Sequence, residues 1–286
     1  MQISRMDLAD VGDNPKRLAA ALIDQTGLTS GKVPIRDIAM ACDIFEIKEE
    51  PLANFEGALV TTEEKDIGSM IVHRDRPEKR KRFSIGHELG HFLIGYHKPV
   101  GAQFECSARD MTTEWFGPTD RAAKMEVEAN VFAAEMLMPK KFLTPWMSKR
   151  REVDVSHVVD LSEQFEVSRE AAARRYRDYA NEPVAFVFSK DGRVRYSIRH
   201  EDFPRLDIGK NDQVPLESIT ARFGKAPGST SALGAVDRGL WIADTRRGEV
   251  CEQVLVQRNG YRLTLLALTG DEDDVEADWD SPRFRR

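Results

Sequence analysis

The chain reads as an α+β protein. Three features predict that class: apolar residues at helical spacing through the first 140 positions, short strand-forming runs set between turn residues, and two hairpin signals in the last third. Residues 15–25 carry Leu18, Ala21, Leu22 and Ile23 and stop at Thr26-Gly27, which predicts a first helix. Pro34 opens a short second one, with Ile35, Ile38, Ala39 and Cys42 on one face. Residues 44–48, 57–62 and 68–73 are rich in strand formers and suit a small antiparallel sheet. Ile85, Leu89 and Phe92 recur at i, i+4 and i+7, so a helix with one side in the core is expected there. A polar stretch over 98–120 separates it from a second long helix over 121–138, stopped by Pro139. Residues 155–180 read as two helices around a turn. Beyond them, 184–188 and 194–198 flank Lys190-Asp191-Gly192, and 249–257 and 261–268 flank Asn259-Gly260, both hairpin signals.

A length of 286 residues suits roughly two domains, and the change from helical to strand-rich patterning puts a boundary near Asn181-Glu182-Pro183. Hydrophobic residues at 41% and charged residues at 31% exclude a disordered or fibrous chain. A net charge of −6 argues against a general binder of nucleic acid or membrane surfaces, so any basic site must be local. Cys42, Cys106 and Cys251 lie far apart, which excludes a disulfide framework and a cysteine zinc knuckle. Residues 1–12 lack an apolar leader and no run approaches eighteen apolar residues, so a cytoplasmic, unexported protein without a membrane partner is expected.

The chemistry is concentrated in His87-Glu88-Leu89-Gly90-His91. On a helix the two histidines are about 40° apart around the axis and about 6 Å apart along it. Both imidazoles can therefore reach one ion. Zn2+ suits neutral nitrogen ligands with a carboxylate, and a position left to water makes such a site catalytic. Glu88, next to the first ligand, is placed to take a proton from that water. Water on zinc has a pKa near 7, and the ion also polarises a peptide carbonyl, so the expected reaction is hydrolysis by Glu-activated, zinc-bound water.

A third ligand is sought in the segment from Met125 to Pro139. At 100° per residue Glu126 shares a stripe with Asn130, Ala133 and Leu137, whereas Glu128 points about 200° away, beside Lys124 and Glu135. Glu126 is thus read as inward and Glu128 as outward, with Glu128 the rival ligand. A carboxylate on a face of small apolar residues is costly without a cation or strong donors. Asn130, one turn on, is read either as the partner that orients a ligand histidine or as a polar residue of the helix surface.

The two segments together, Arg82-Phe83-Ser84-Ile85-Gly86-His87-Glu88-Leu89-Gly90-His91-Phe92 and the run from Glu126 to Met138-Pro139, resemble the ImmA/IrrE metallopeptidases over roughly residues 15–180. The resemblance implies a zincin-like domain in which His87, His91 and Glu126 bind zinc and Glu88 is the general base. It also implies a substrate class, helix-turn-helix repressors or antitoxin-like regulators whose cleavage switches transcription. On this reading residues 1–140 form the zincin-like domain, 141–182 a helical, helix-turn-helix-like extension, 183–270 a mixed carboxy-terminal domain and 271–286 an acidic tail. Whether the third of these senses, binds substrate or stabilises is left open.

Two other classes compete. The segment from Leu161 to Tyr176, with Ser168 as an N-cap, has the outline of a helix-turn-helix whose second helix carries Arg169, Arg174, Arg175 and Arg177 on a basic face. Yet residues 141–180 hold eight Lys plus Arg against seven Asp plus Glu, too even a balance for a DNA footprint, so a packing or substrate-docking role is favoured over DNA binding. A non-catalytic zinc sensor is the other alternative. The run Arg74, Arg76, Lys79, Arg80, Lys81, Arg82 is read as a solvated helix start rather than an attractor of acidic substrate. Cys106 is read as an inert thiol rather than a zinc-silencing one, and His73 and His97 as structural or surface residues rather than oxyanion-holding ones. Trp115, Phe116 and Trp241 are read as core or loop anchors.

Overall fold

The computed structural model describes residues 1–53, 55–98, 121–150, 152–243 and 249–268, and the backbone path of 103–106. The described residues divide into two compact units: Met1–Arg151 with His157–Tyr179, and Glu152–Ser156 with the chain from Ala180 onward. Among the described residues no helix is long and apolar enough to cross a membrane. The acidic run, Trp115 and Phe116 lie outside the described residues, as does the side chain of Cys106.

In the first unit, α1 (Arg5–Val11) and α2 (Pro15–Thr26) are capped as their residues dictate. The Ser4 hydroxyl accepts the Asp7 N–H, and the Asn14 amide oxygen accepts those of Lys16 and Arg17. Gly27 closes α2 in the left-handed conformation, φ 70°. After α3 (Ile35–Ala41) come β1 (Ile44–Glu50), β2 (Gly57–Thr61) and β3 (Gly68–His73), then α4 (Glu78–Leu93), β4 (Gln103–Cys106) and α5 (Arg121–Leu137). The unit ends with α6 (Lys140–Met147), α7 (Ser156–Gln164) and α8 (Arg169–Tyr179).

The first sheet has the order β1-β3-β2-β4 and is mixed, not antiparallel as the sequence suggests. β2 pairs antiparallel with β3 and β4, but β1 pairs parallel with β3. The reason is topological: β2 returns one strand position away from β1, and the short β2–β3 connection lays β3 in the gap.

Helix α4 also differs from expectation. Arg82 and every residue from Ser84 to Phe92 are buried, so the helix is enclosed on all sides by α3, α5, β2 and β3. Its apolar stripe of Ile85, Leu89 and Phe92 is one buried face, and its glycines make another. A Cβ at Gly86 would stand 3.3 Å from the Ala133 Cβ, and one at Gly90 would stand 3.2 Å from the Ala129 Cα. Small residues on both helices thus allow a close crossing of α4 and α5, and that crossing carries the site.

Arg74 and Arg76, at the start of the basic run, stay exposed as expected, whereas the part of the run inside α4 is held largely in tertiary contacts. Arg76 and Arg80 pair with Glu56 at 2.8 and 3.3 Å, and Lys81 with Glu49 at 2.5 Å. Lys79 donates to the Ser162 hydroxyl (2.8 Å), and buried Arg82 donates to the carbonyls of Val33 (2.9 Å) and Phe165 (3.4 Å). These bonds pin the α7–α8 turn to the start of α4.

The opposite end of α4 is closed by Lys65, a buried residue of the β2–β3 connection at φ 53°. Its ammonium donates to the carbonyls of His91 (2.9 Å) and Ile94 (2.5 Å), groups that a helix C-terminus leaves unpaired. Arg5 braces the same loop through the Lys65 and Asp66 carbonyls at 2.6 and 2.9 Å. Lys65→Met is expected to cost about 1.5–3 kcal/mol of stability, the range for a hydrogen bond to a charged group. Urea denaturation of the two proteins measures this directly, and coincident midpoints would refute it.

The second unit contains β5 (Val184–Lys190), β6 (Arg193–Arg199), α9 (Ile219–Arg222), β7 (Gly234–Asp237), β8 (Glu249–Val256) and β9 (Tyr261–Leu268). Its sheet is antiparallel throughout, in the order β6-β5-β9-β8-β7. Both predicted hairpins form, and each turn places two residues at positive φ: Asp191 49° and Gly192 76°, Asn259 55° and Gly260 75°. That is the geometry which matches strand twist across a two-residue loop. Ala185, Val187, Val194, Phe203, Val250, Leu266 and Trp241 form its core. The Trp241 indole donates to buried Glu252 (3.0 Å), which also accepts the N–H groups of Ile219 and Thr220.

Candidate metal centre

The α4–α5 crossing brings the predicted residues together. His87 Nε2 lies 3.1 Å from Glu126 Oε2 and 3.1 Å from His91 Nε2, and His91 Nε2 lies 3.4 Å from Glu126 Oε1. Both histidines are fully buried, and the Glu126 side chain is 22% exposed, which leaves the cluster one open side. These three are the group among the described residues whose ligand atoms could hold one ion.

The orientation of the rings is set from behind. His87 Nδ1 is 2.9 Å from the Asn130 amide oxygen, and Asn130 is fully buried, which excludes a helix-surface role. His91 Nδ1 is 3.1 Å from His97 Nδ1. With Nδ1–H donating backward from each ring, both Nε2 atoms carry their lone pairs toward the same point.

The donor set fits a tetrahedral ion. Bonds of about 2.0–2.1 Å place neighbouring donors about 3.3 Å apart, which matches the spacing of the three atoms. Two imidazole lone pairs and a carboxylate converging there repel one another unless a cation joins them. Among the described residues no lysine or arginine pairs with Glu126; its partners are the two imidazoles.

The cluster's electrostatics differ from ring to ring. Burial holds His91 well below the usual imidazole value, at about 4, so its ring is neutral near pH 7. Burial would raise Glu126, but the two imidazoles beside it outweigh burial and bring the carboxyl down to about 2. Burial likewise opposes charge on His87, yet Glu126, Glu88 and Asn130 together leave it raised, the sign of a site that attracts positive charge.

Glu88 is fully buried and lies over β2. A Cβ at Gly57 would stand 2.8 Å from Glu88 Oε1 and 3.5 Å from its Cγ, so the absence of a side chain at Gly57 makes room for the carboxylate. Sequence reasoning missed this glycine, because its only signal is a position opposite a residue 31 places later.

Glu128 is the residue whose environment differs most from expectation. It is not outward-facing: its side chain is 19% exposed and meets His97 Nε2 at 3.2 Å. The chain leaving α4 turns at Ile94, with the His97 N–H bonding the Ile94 carbonyl, and folds His97 against α5. His73 is not in the cluster; its Nδ1 accepts the Asp75 N–H at 3.2 Å.

A helix bearing His87, Glu88 and His91, crossed by a second helix that supplies a carboxylate, defines the class of HExxH metallopeptidase domains. Residues 44–177, from the start of β1 into α8, match the family model described as the IrrE N-terminal-like domain (peptidase M78), and this segment belongs to the ImmA/IrrE metallopeptidase family. A Mycobacterium tuberculosis transcriptional regulator of known structure shares the fold, with a TM-score of 0.56 at 12% sequence identity over 88% of this chain and 75% of that one. No curated protein matches the chain in sequence.

Proposed function

We propose that this protein is a zinc-dependent endopeptidase that cleaves a helix-turn-helix repressor or antitoxin-like regulator at a specific site. The observation that carries the reading is the convergence of His87 Nε2, His91 Nε2 and Glu126 within an ImmA/IrrE domain. When bound there, zinc would acidify a water molecule and polarise the scissile carbonyl. His87, His91 and Glu126 hold the ion, and Asn130 keeps the His87 ring in the ligating tautomer. Glu88 takes the proton of the attacking water and delivers it to the leaving amine. The substrate class is the one the family resemblance suggests, and it is tested by co-expressing the protein with helix-turn-helix regulators encoded beside its gene. Mass spectrometry should find discrete fragments with the wild type and none with Glu88→Gln.

The space at Gly57 gives a finer test. Gly57→Ala should displace the Glu88 carboxylate and slow cleavage on the order of 10²-fold, the cost of about 1 Å of misplacement, while zinc affinity stays the same. An unchanged rate would show that Glu88 does not work from this position.

The α7–α8 outline favours a second reading, a DNA-binding regulator, and the Mycobacterium tuberculosis protein of similar fold is named a transcriptional regulator. The predicted basic face is weaker than its sequence suggests. Arg175 is buried and bonded to Glu135 (2.9 Å) and the Met138 carbonyl (2.5 Å), while Arg174 pairs with Glu170 and Arg177 with Asp178. Duplex binding with a steep salt dependence would favour this reading over proteolysis.

A further inference from the structure

We infer that His97 and Glu128 act as a positioning pair for the second ligand histidine, a role parallel to that of Asn130 behind the first. His91 presents Nε2 to the ligand cluster and Nδ1 to His97 Nδ1 at 3.1 Å. His97 in turn presents Nε2 to Glu128 Oε2 at 3.2 Å, and Lys124 Nζ stands 3.7 Å from the other oxygen of that carboxylate. Only one arrangement of protons satisfies this line of atoms while leaving His91 Nε2 able to ligate. His91 Nδ1–H donates to His97 Nδ1, and His97 Nε2–H donates to the carboxylate. Glu128 therefore selects the His97 tautomer, and that tautomer selects the one His91 needs.

The geometry also separates His97 from the reacting side. Its ring is fully buried behind His91, on the edge opposite Nε2, and both of its nitrogens are engaged. A hydrophobic residue of similar size could fill that space but could not accept the His91 proton. The burial of two polar, hydrogen-bonding nitrogens at this position is thus accounted for by what they do to His91.

This inference rests on the metal-centre reading, and the experiment separates the two. Zinc affinity is measured by competition with a chromophoric chelator for the wild type, His97→Leu, His97→Gln and Glu128→Ala, with the visible spectrum of the cobalt-loaded proteins and the melting temperature of the metal-free proteins in parallel. His97→Leu should bind zinc about 10–100-fold more weakly, the usual cost of losing an outer partner, with altered cobalt bands. His97→Gln, whose side-chain carbonyl can accept the His91 proton, should recover most of the affinity. Glu128→Ala, at a partly exposed position and so tolerant of change, should lose affinity without loss of metal-free stability, and it decides the matter if His97→Leu does not fold. Wild-type affinity in Glu128→Ala, or in a folded His97→Leu, would overturn the positioning role alone. No tight binding by the wild type would overturn the metal centre itself.

Discussion

Glu88→Gln is expected to retain one zinc ion per chain and to lose peptide cleavage by about 10²–10⁴-fold, the usual contribution of a positioned general acid–base. The amide is nearly isosteric with the carboxylate, so it fits the buried space over Gly57 that Glu88 occupies. It cannot take up a proton. The three ligand side chains come from other positions, so metal content measured by elemental analysis should not change. Assays of cleavage and metal on the same preparation separate the readings: a non-catalytic zinc sensor or a DNA-binding regulator should be indifferent to the substitution. Full proteolysis by the variant would falsify the general-base role.

Removal of Glu126 should have the opposite signature. Its carboxylate is the one anionic member of the cluster, within 3.4 Å of both ligand nitrogens. Glu126→Ala should therefore weaken zinc binding by more than the roughly 100-fold upper range for an outer partner. The effect is visible as a loss of ligand-linked stability. At a zinc concentration about 100 times the wild-type Kd, zinc stabilises the wild type by about 2.7 kcal/mol, and a variant 100-fold weaker by only about 0.4 kcal/mol. Thermal melts with and without zinc measure the difference. Equal shifts in the two proteins would remove Glu126 from the ligand set.

The two variants rest on information of different kinds. His87, Glu88 and His91 lie within one helical turn, so their relation is fixed by 3.6-residue periodicity and is visible in the sequence. Glu126 was legible for a related reason, since the carboxylate shares a stripe with Asn130 and Ala133 and a helix with such a face must bury it. Glu128 was misjudged by the same reasoning. Helical phase gives a direction about the axis, and solvent was assumed to lie on that side, where the chain leaving α4 in fact places His97.

The basic run before α4 shows the same limit from the other direction. A cluster of like charges reads as a solvated face because nothing local opposes it. Its partners, Glu49, Glu56, Ser162 and the carbonyls of Val33 and Phe165, come from four separate segments. Arg175 is a further case, a helix-face cation on sequence grounds that the fold turns inward onto Glu135. Helix α1 was missed because it is only seven residues long and buries a single side chain, Leu8. Its cap by Ser4 is local, but the Arg5 bonds to the β2–β3 loop reach residues about sixty positions away.

What the sequence determined by itself was whatever depends on neighbours a few residues apart: the two-histidine turn with its glutamate, the apolar stripes of the long helices, and the Asp191-Gly192 and Asn259-Gly260 turns that need positive φ. The tertiary structure alone decided the parallel pairing of β1 with β3, the space at Gly57, the Lys65 cap and the His97–Glu128 contact behind His91. The physical reason is common to all of these. Each is a contact between segments brought together only when burial of the α4–α5 crossing orders the whole unit, and no local dihedral preference encodes it.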